Sequence, residues 1–203
     1  MSSNAWLGAT VAGRGLITGV GINHSLGLKG EFSFGFTFDF TTGIPFLPGS
    51  SLKGALRAHA SRKSISPLLE EHLGSGTDQK EFIERVFPDG DKGKKMPPSY
   101  KQCHFIGGAP VDGFILAKDT ITPHKDPLKK PDPLPFLKID RGTRLRFYFY
   151  LSEEVLALYP KILYLFAELL MRYGLGAKTN YDFGRFEQKS FSICYRLLDQ
   201  PQK

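Results

Sequence analysis

The stretch GLGAKTNYDFGRF, residues 174–186, gathers three glycines, a lysine, an arginine and aromatic rings into one short loop. Such a loop invites a phosphate reading. A P-loop needs four residues between its glycines and Lys-Ser/Thr directly after the second, and GLGAKT has neither. A dinucleotide fingerprint needs a third glycine where Thr179 stands and a strand before it, and the preceding segment is patterned as a helix. What is left is a loop whose backbone N–H groups are little obstructed by side chains and can approach a phosphate chain, with Lys178, Thr179, Asn180 and Arg185 around them. A plain helix-to-strand connection accounts for the same glycines, and both readings stand.

The second group is GIPFLPGSSLKGALRAHASRK, residues 43–63. Pro45 and Pro48 stiffen a loop, Ser50 or Ser51 can cap the helix that follows, and Leu52, Ala55, Leu56 and His59 share its apolar stripe. Lys53 and Arg57 lie one turn apart on an adjoining face, close to a helix N-terminus whose free N–H groups attract anions. A solvated basic pair explains the same spacing, and helix statistics alone favour it. His59, on the apolar side, reads as a satisfied core histidine.

Catalysis is unmarked. His24, His59, His72, His104 and His124 lack motif-level partners, and the carboxylates show no metal spacing. His124, beside Lys125 in a proline-dense loop, is the histidine that stands out. Cys103 and Cys194 are far apart, without a CxxC, so neither a disulfide framework nor a zinc site is expected. No catalytic residue, metal or cofactor follows.

Net charge +7 and a pI near 9.4 favour an anionic partner, because lysine and arginine release counterions from a phosphate backbone. With 203 residues, 41% of them hydrophobic, one domain spanning residues 1–203 is expected. The N-terminus lacks the layout of a signal peptide, and the longest apolar run, ILYLFAELLM, is about half a membrane span. A soluble, cytoplasmic protein is the expectation.

The elements that must position these groups read as follows. GRGLITGVG (13–21) is a first strand. EFSFGFTFDF (31–40) alternates phenylalanine with small or polar residues at the period of a half-buried strand. Its FGF resembles the RNP1 signature of RNA-recognition modules, but Phe32 and Ser33 occupy the places of the basic residue and glycine, and Asp39 that of an aromatic. Core packing is therefore the expectation for these rings. SPLLEEHLG and DQKEFIERVF suggest short helices, and 88–102 an exposed, mobile insertion. CHFIGG, FILAKDTITPH and TRLRFYFYL read as strands, the last with arginines on one face. The proline-dense loop 124–135 is unsuited to a sheet interior. SEEVLALYPKILYLFAELLMRYG is helical, with Ser152 as cap and Pro160 kinking it or opening a second helix. FGRFEQKSFSICYRL closes the chain as a strand or hairpin. Strands separated by one helix early and one late predict an α+β, ferredoxin-like (RRM-like βαββαβ) core with insertions.

GIPFLPGSSLKGALR taken with GLGAKTNYDFGRF resembles the CRISPR-associated RAMP superfamily, whose members pair an early PGSS-[LI]-KG segment with a late loop of the form GhGx5GhG, where h is hydrophobic. Within it, TPH at 122–124, PLPFLKIDRGTRLRFYF at 133–149 and GLGAKTNYDFG are similar to the sixth-subunit family of type III-B Cmr effector complexes. The resemblance runs from about Gly15 to Phe186 and is weakest over 64–112.

It implies a RAMP fold and a non-catalytic backbone subunit that binds CRISPR guide RNA, and target RNA with it, in antiviral defence. The slicing backbone subunit, the small helical subunit and the first Cmr subunit are the implied neighbours. Carried onto this sequence, RNA would be bound by Ser50, Ser51, Lys53, Arg57, His124, Lys178, Thr179, Asn180, Tyr181 and Arg185. Asp182 departs from the pattern, standing where the final GhG has its first glycine. Aspartate tolerates a left-handed backbone but repels phosphate, which places RNA nearer Lys178 to Tyr181. The competing function is an endoribonuclease, either processing guides through His124 or His24, or slicing targets with metal at Asp39. A protein-contacting adaptor is the third.

Overall fold

The computed structural model describes residues 3–17, 33–34, 37–88, 102–113, 116–121 and 134–195. The first strand is β1, Ala5–Ala12, upstream of the expected 13–21 segment. Of that segment residues 18–21 lie outside the described residues; Gly13 (φ 58°) and Gly15 (φ 99°) turn the chain out of β1, and Leu16 makes an antiparallel bridge to Ile139. The alternation of Ala5, Leu7, Ala9 and Val11 inward builds β1 from mostly small residues, so its strand signal is weak in sequence.

Of the phenylalanine run, the structure describes residues 33–34 and 37–40. These yield β2 (Ser33–Phe34) and β3 (Thr37–Phe38), which belong to different sheets. Asp39 then ends the alternation: its Oδ1 accepts from the backbone N–H groups and hydroxyls of Thr41 and Thr42 at 2.6–3.1 Å. The resulting turn throws Phe40 fully into solvent, at 102% exposure, against the expectation that it packs in the core. Phe38 is half-buried against the core, while Phe32 and Phe36 lie outside the described residues.

Next come β4 (Pro45–Pro48), α1 (Gly49–Ala60), α2 (Ser66–Leu73) and α3 (Gln79–Val86). The expected proline loop at 45–48 is thus an edge-proximal strand, its prolines spared from an interior ladder because β3 pairs only Pro45 and Phe46 on one side, with Leu47 and Pro48 paired on the other. After the 88–102 segment, whose residues 89–101 lie outside the described set, follow β5 (His104–Asp112), β6 (Leu116–Ile121), β7 (Leu134–Ile139) and β8 (Arg144–Tyr150). Pro135, placed in a loop by the sequence, belongs to β7 opposite Thr120.

Pro160 opens a second helix: α4 (Glu153–Leu158) begins at Ser152, whose Oγ accepts from Val155 N–H, and α5 spans Ile162–Tyr173. The chain closes with β9 (Arg185–Phe186) and β10 (Ser192–Tyr195), both antiparallel to β1 at successive points along it.

The main sheet runs β10-β1-β8-β5-β4-β3 with antiparallel neighbours, and β2-β7-β6 forms a second, smaller sheet. α1 and α5 cover one face of the main sheet. Leu7, Leu145, Phe147 and Phe149 meet Leu52, Leu56, Phe166 and Leu170 in one core, where the Phe149 and Phe166 rings are 5.6 Å apart. Burying aromatics of this size dominates the apolar stabilisation. The fold is a mixed α+β one built on an antiparallel sheet, and among the described residues no helix is long and apolar enough to cross a membrane.

Candidate nucleic-acid interface

The glycine loop begins where α5 ends. Gly174 (φ 78°) donates to Leu170 O, and from there the chain alternates anchors with exposed residues. Leu175 and Phe183 are buried at 1% exposure and act as two pegs. Leu175 N–H bonds Gly184 O, Ala177 N–H bonds Ile17 O, and Gly184 N–H bonds Gly15 O, at 2.7–2.9 Å. The loop is therefore laced to residues 13–17, whose own route is set by Gly13 and Gly15. Gly184 (φ 66°) could carry no side chain, since a Cβ there would run into the Leu175 carbonyl oxygen.

Between the pegs a 3-10 turn, Thr179–Tyr181, is flanked by two left-handed residues, Lys178 (φ 56°) and Asp182 (φ 67°). Non-glycine residues adopt this conformation at a cost of about 1 kcal/mol or more. It pushes Lys178, Asn180 and Tyr181 outward as a crown: Tyr181 is 68% exposed, with Lys178 Nζ 5.8 Å from its ring centre. Asp182 takes a left-handed backbone, a conformation aspartate tolerates, and its carbonyl accepts from Arg14 N–H at 3.0 Å.

Arg185 behaves differently from its neighbours. Its Nη1 donates to Arg172 O and its Nη2 to Thr179 O, both at 3.1 Å, so its guanidinium fastens the crown to the end of α5. Arg14, unnoticed in the sequence beyond its place between two glycines, lies 4.7 Å over the Phe183 ring and pairs with Asp119 at 3.1 Å. Lys138 joins that network through Asp119 and Asp140. Phe183 packs edge-on to Phe136, 6.0 Å away, tying the loop to the smaller sheet.

On α1, Pro48 rather than Ser50 or Ser51 is the N-cap residue, and no side chain caps the helix. The chain enters α1 straight from strand β4, so both serines fall within the first turn instead of before it. Gly49 is pressed against β5, where a Cβ would strike the Phe105 carbonyl. Ser50 is exposed and Ser51 half-buried beside N–H groups with no acidic residue in the turn.

Lys53 Nζ donates to Pro88 O at 2.8 Å, and Arg57 shares a hollow with Asp78, Gln79 and Glu84. Both cations thus lie on the flank of α1 turned toward α3. The α1 residue that reaches the loop is His59, on the opposite flank. Its Nε2 is 2.9 Å from Gly174 O, and its ring is 5.1 Å from that of Tyr173. Burial pushes the His59 pKa below its ordinary value, with Arg62 acting in the same direction and the Gly174 bond opposing.

The nuclease candidates fare as follows. His24 and His124 lie outside the described residues. The Asp39 carboxyl is held down at about 2 by its bonds to Thr41 and Thr42, with one oxygen committed to the turn. Among the described residues no group of three His, Cys, Asp or Glu could hold a metal ion. Cys103 is buried and Cys194 half-buried, both free thiols.

A family model described as the RAMP superfamily matches residues 6–187. The CRISPR system CMR subunit Cmr6 of Saccharolobus solfataricus is 25% identical over 181 residues, covering 86% of this chain and 55% of that protein, so the chain spans about half the relative's length. A chain in the cryo-EM structure of the type III-B Cmr-beta bound to cognate target RNA has a TM-score of 0.61 at 24% identity, over 96% of this chain and 62% of that one. The crystal structure of Cmr6 from Pyrococcus furiosus gives 0.56 at 17% identity, over 92% and 98%. A chain of a Type IV-B CRISPR complex gives 0.53 at 15%, over 98% and 95%. The three structures share the fold.

Proposed function

From the premise that this chain belongs to the RAMP superfamily and resembles Cmr6 of type III-B Cmr complexes, we propose that it is an RNA-binding backbone subunit that holds CRISPR guide RNA through its glycine-loop crown. The observation that carries this reading is the pairing of a rigid base with an exposed, cationic tip. Leu175, Phe183 and Gly184 lock the loop, while Lys178, Asn180 and Tyr181 stand free of the core. A preorganised tip offers a charge, an amide and a ring to a sugar-phosphate chain without first having to order itself.

Thr179 lends backbone and hydroxyl, and Arg185 acts by holding the crown. Ser50, Ser51 and the N-terminus of α1 form a second phosphate contact, with Lys53 and Arg57 extending it toward α3. RNA runs along the Lys178–Tyr181 side and keeps clear of Asp182. His124 remains a candidate contact from the sequence.

The fold reading behind this is ferredoxin-like. Following β1, α1, β5, β8, α5 and β10 gives βαββαβ, and their order in the sheet, β10-β1-β8-β5, places the fourth strand beside the first and the third between first and second. The remaining elements are insertions within one domain. In this reading the subunit works in the cytoplasm, within a ribonucleoprotein acting on foreign RNA, and performs no cleavage itself. Its neighbours are the slicing backbone subunit, the small helical subunit and the first Cmr subunit.

The test is guide-RNA affinity of the full chain against salt concentration. Lys178→Ala with Tyr181→Ala should weaken binding to all guide sequences alike and reduce the salt slope by about one. An unchanged affinity and slope would place the RNA elsewhere, and Mg²⁺-dependent cleavage of guide or target RNA by the wild-type chain would replace the reading with a nuclease.

A further inference from the structure

The main sheet has a second face, away from α1 and α5. The two central strands carry its largest side chains: Trp6 on β1, with Arg144, Arg146, Tyr148 and Tyr150 at every second position of β8. All are half-buried, while the residues between them, Leu145, Phe147 and Phe149, fill the core. Register sets Trp6 beside Tyr148 and Gly8 beside Arg146, and across β5 sets Tyr150 beside His104, whose rings are 5.8 Å apart.

Charge on this face is cationic at the centre. The Arg146 guanidinium lies 4.3 Å over the Trp6 ring, and its Nε is buried with no hydrogen-bond partner among the described residues. Arg144 Nη2 donates to Ser192 Oγ at 3.0 Å. The carboxylates near the face stand at its rim: Asp112 opposite Arg144, and Asp39 occupied by its threonines. Between Tyr148 and Asp39 lies a hollow of about 400 Å³, floored by Gly107 and Gly108 and walled by Ile44, Phe46 and Ile106.

We propose that this face, which carries no helix among the described residues, is a second RNA site, which stacks the unpaired bases of a single strand in a sequence-tolerant manner. Stacking on aromatic and guanidinium planes of the central strands is how a four-stranded sheet of this architecture reads unpaired bases, and arginine adds attraction for the backbone. Neighbouring strands lie about 4.8 Å apart, which puts Trp6 with its Arg146 lid and Tyr148 on adjacent tracks across the sheet. The occupant is RNA rather than a neighbouring protein chain because the centre of the face sets guanidinium planes among aromatic rings, and among the described residues the carboxylates stand only at its rim. The site is separate from the glycine-loop crown in every residue.

Trp6 is the sole tryptophan of the chain and sits in the proposed site, so its fluorescence reports occupancy directly. The full-length protein is titrated with oligouridylate RNA and, separately, with inorganic polyphosphate of matched charge. Saturable quenching by the RNA and none by polyphosphate is expected. Tyr148→Ala should weaken the quenching titration about tenfold, Tyr148→Phe should leave it unchanged, and Lys178→Ala, which touches the other site, should leave its amplitude intact. Should Tyr148→Ala fail to fold, Arg146→Lys keeps the charge but removes the stacking plane and should weaken it several-fold. No quenching, equal quenching by polyphosphate, or insensitivity to both substitutions overturns the proposal. Crosslinking of this face to a protein subunit instead of RNA in the assembled complex does so too.

Discussion

His59 and Gly174, separated by 115 positions, meet through a 2.9 Å contact between an imidazole nitrogen and a carbonyl oxygen. This contact joins the helix of the PGSS segment to the hinge of the glycine loop, so the two motifs communicate through a neutral histidine rather than through the cations beside it. With Nε2 donating to Gly174, the neutral tautomer leaves Nδ1 as a lone pair, and that atom is buried without a partner.

A pH dependence follows from this arrangement. The folded state lowers the His59 pKa below 6.5, so the unfolded chain binds the proton more readily. The His59 contribution is present in full above the unfolded value and is lost as pH falls from 6.5 toward the folded pKa. Urea denaturation across that window should show stability declining in wild type. His59→Ala should cost about 1–3 kcal/mol at pH 8 and flatten the decline.

Gly184 and Gly54 should respond oppositely to alanine. A Cβ at Gly184 meets the Leu175 carbonyl in a left-handed backbone, and Gly184→Ala should cost about 2 kcal/mol or more, read as a lower denaturation midpoint. Gly54 lies inside α1 with nothing within 4 Å of an added Cβ, so Gly54→Ala should stabilise by about 0.5–1 kcal/mol.

The two basic residues of the loop should separate by assay. Arg185→Ala removes two carbonyl-capping bonds and should lower stability by about 1–3 kcal/mol. Lys178→Gly relieves a left-handed lysine and should leave stability unchanged or raise it by up to about 1 kcal/mol, while weakening guide-RNA binding. Thermal denaturation alongside RNA titration checks both. A loss of stability in Lys178→Gly would show that the lysine is part of the scaffold.

Burial pushes the Cys103 thiol up to about 11, despite its bonds to Ser152 and the field of Lys53. Little thiolate forms near neutral pH, and the group is out of reach. Ellman's reagent should therefore modify one thiol of the native protein, Cys194, and reach Cys103 only after denaturant is added. Mass spectrometry of the labelled peptides identifies which cysteine reacted.

What could be read from the sequence was local. Alternation in Arg144–Tyr150, the Ser152 cap, a kink or break at Pro160 and the short helices at Ser66–Leu73 and Gln79–Val86 depend on residues near one another in the chain, and they stand in the structure, the break being the outcome at Pro160. Membership of the family was legible through two motifs in order, and the glycine position that the resemblance assigns to Asp182 is one where the backbone is left-handed. Alternation misled at Phe40, where a turn built by Asp39, Thr41 and Thr42 overrides the period and exposes the ring.

Tertiary structure alone decided which cations face outward. Lys178 and Arg185 look alike in sequence, yet one crowns the loop and the other is spent on the carbonyls of Arg172 and Thr179, because guanidinium geometry spans two acceptors that only the folded loop brings together. Likewise Trp6 and Tyr148 become neighbours only through the pairing of β1 with β8. Long-range strand pairing is set by how the whole core packs, and no stretch of adjacent residues encodes it.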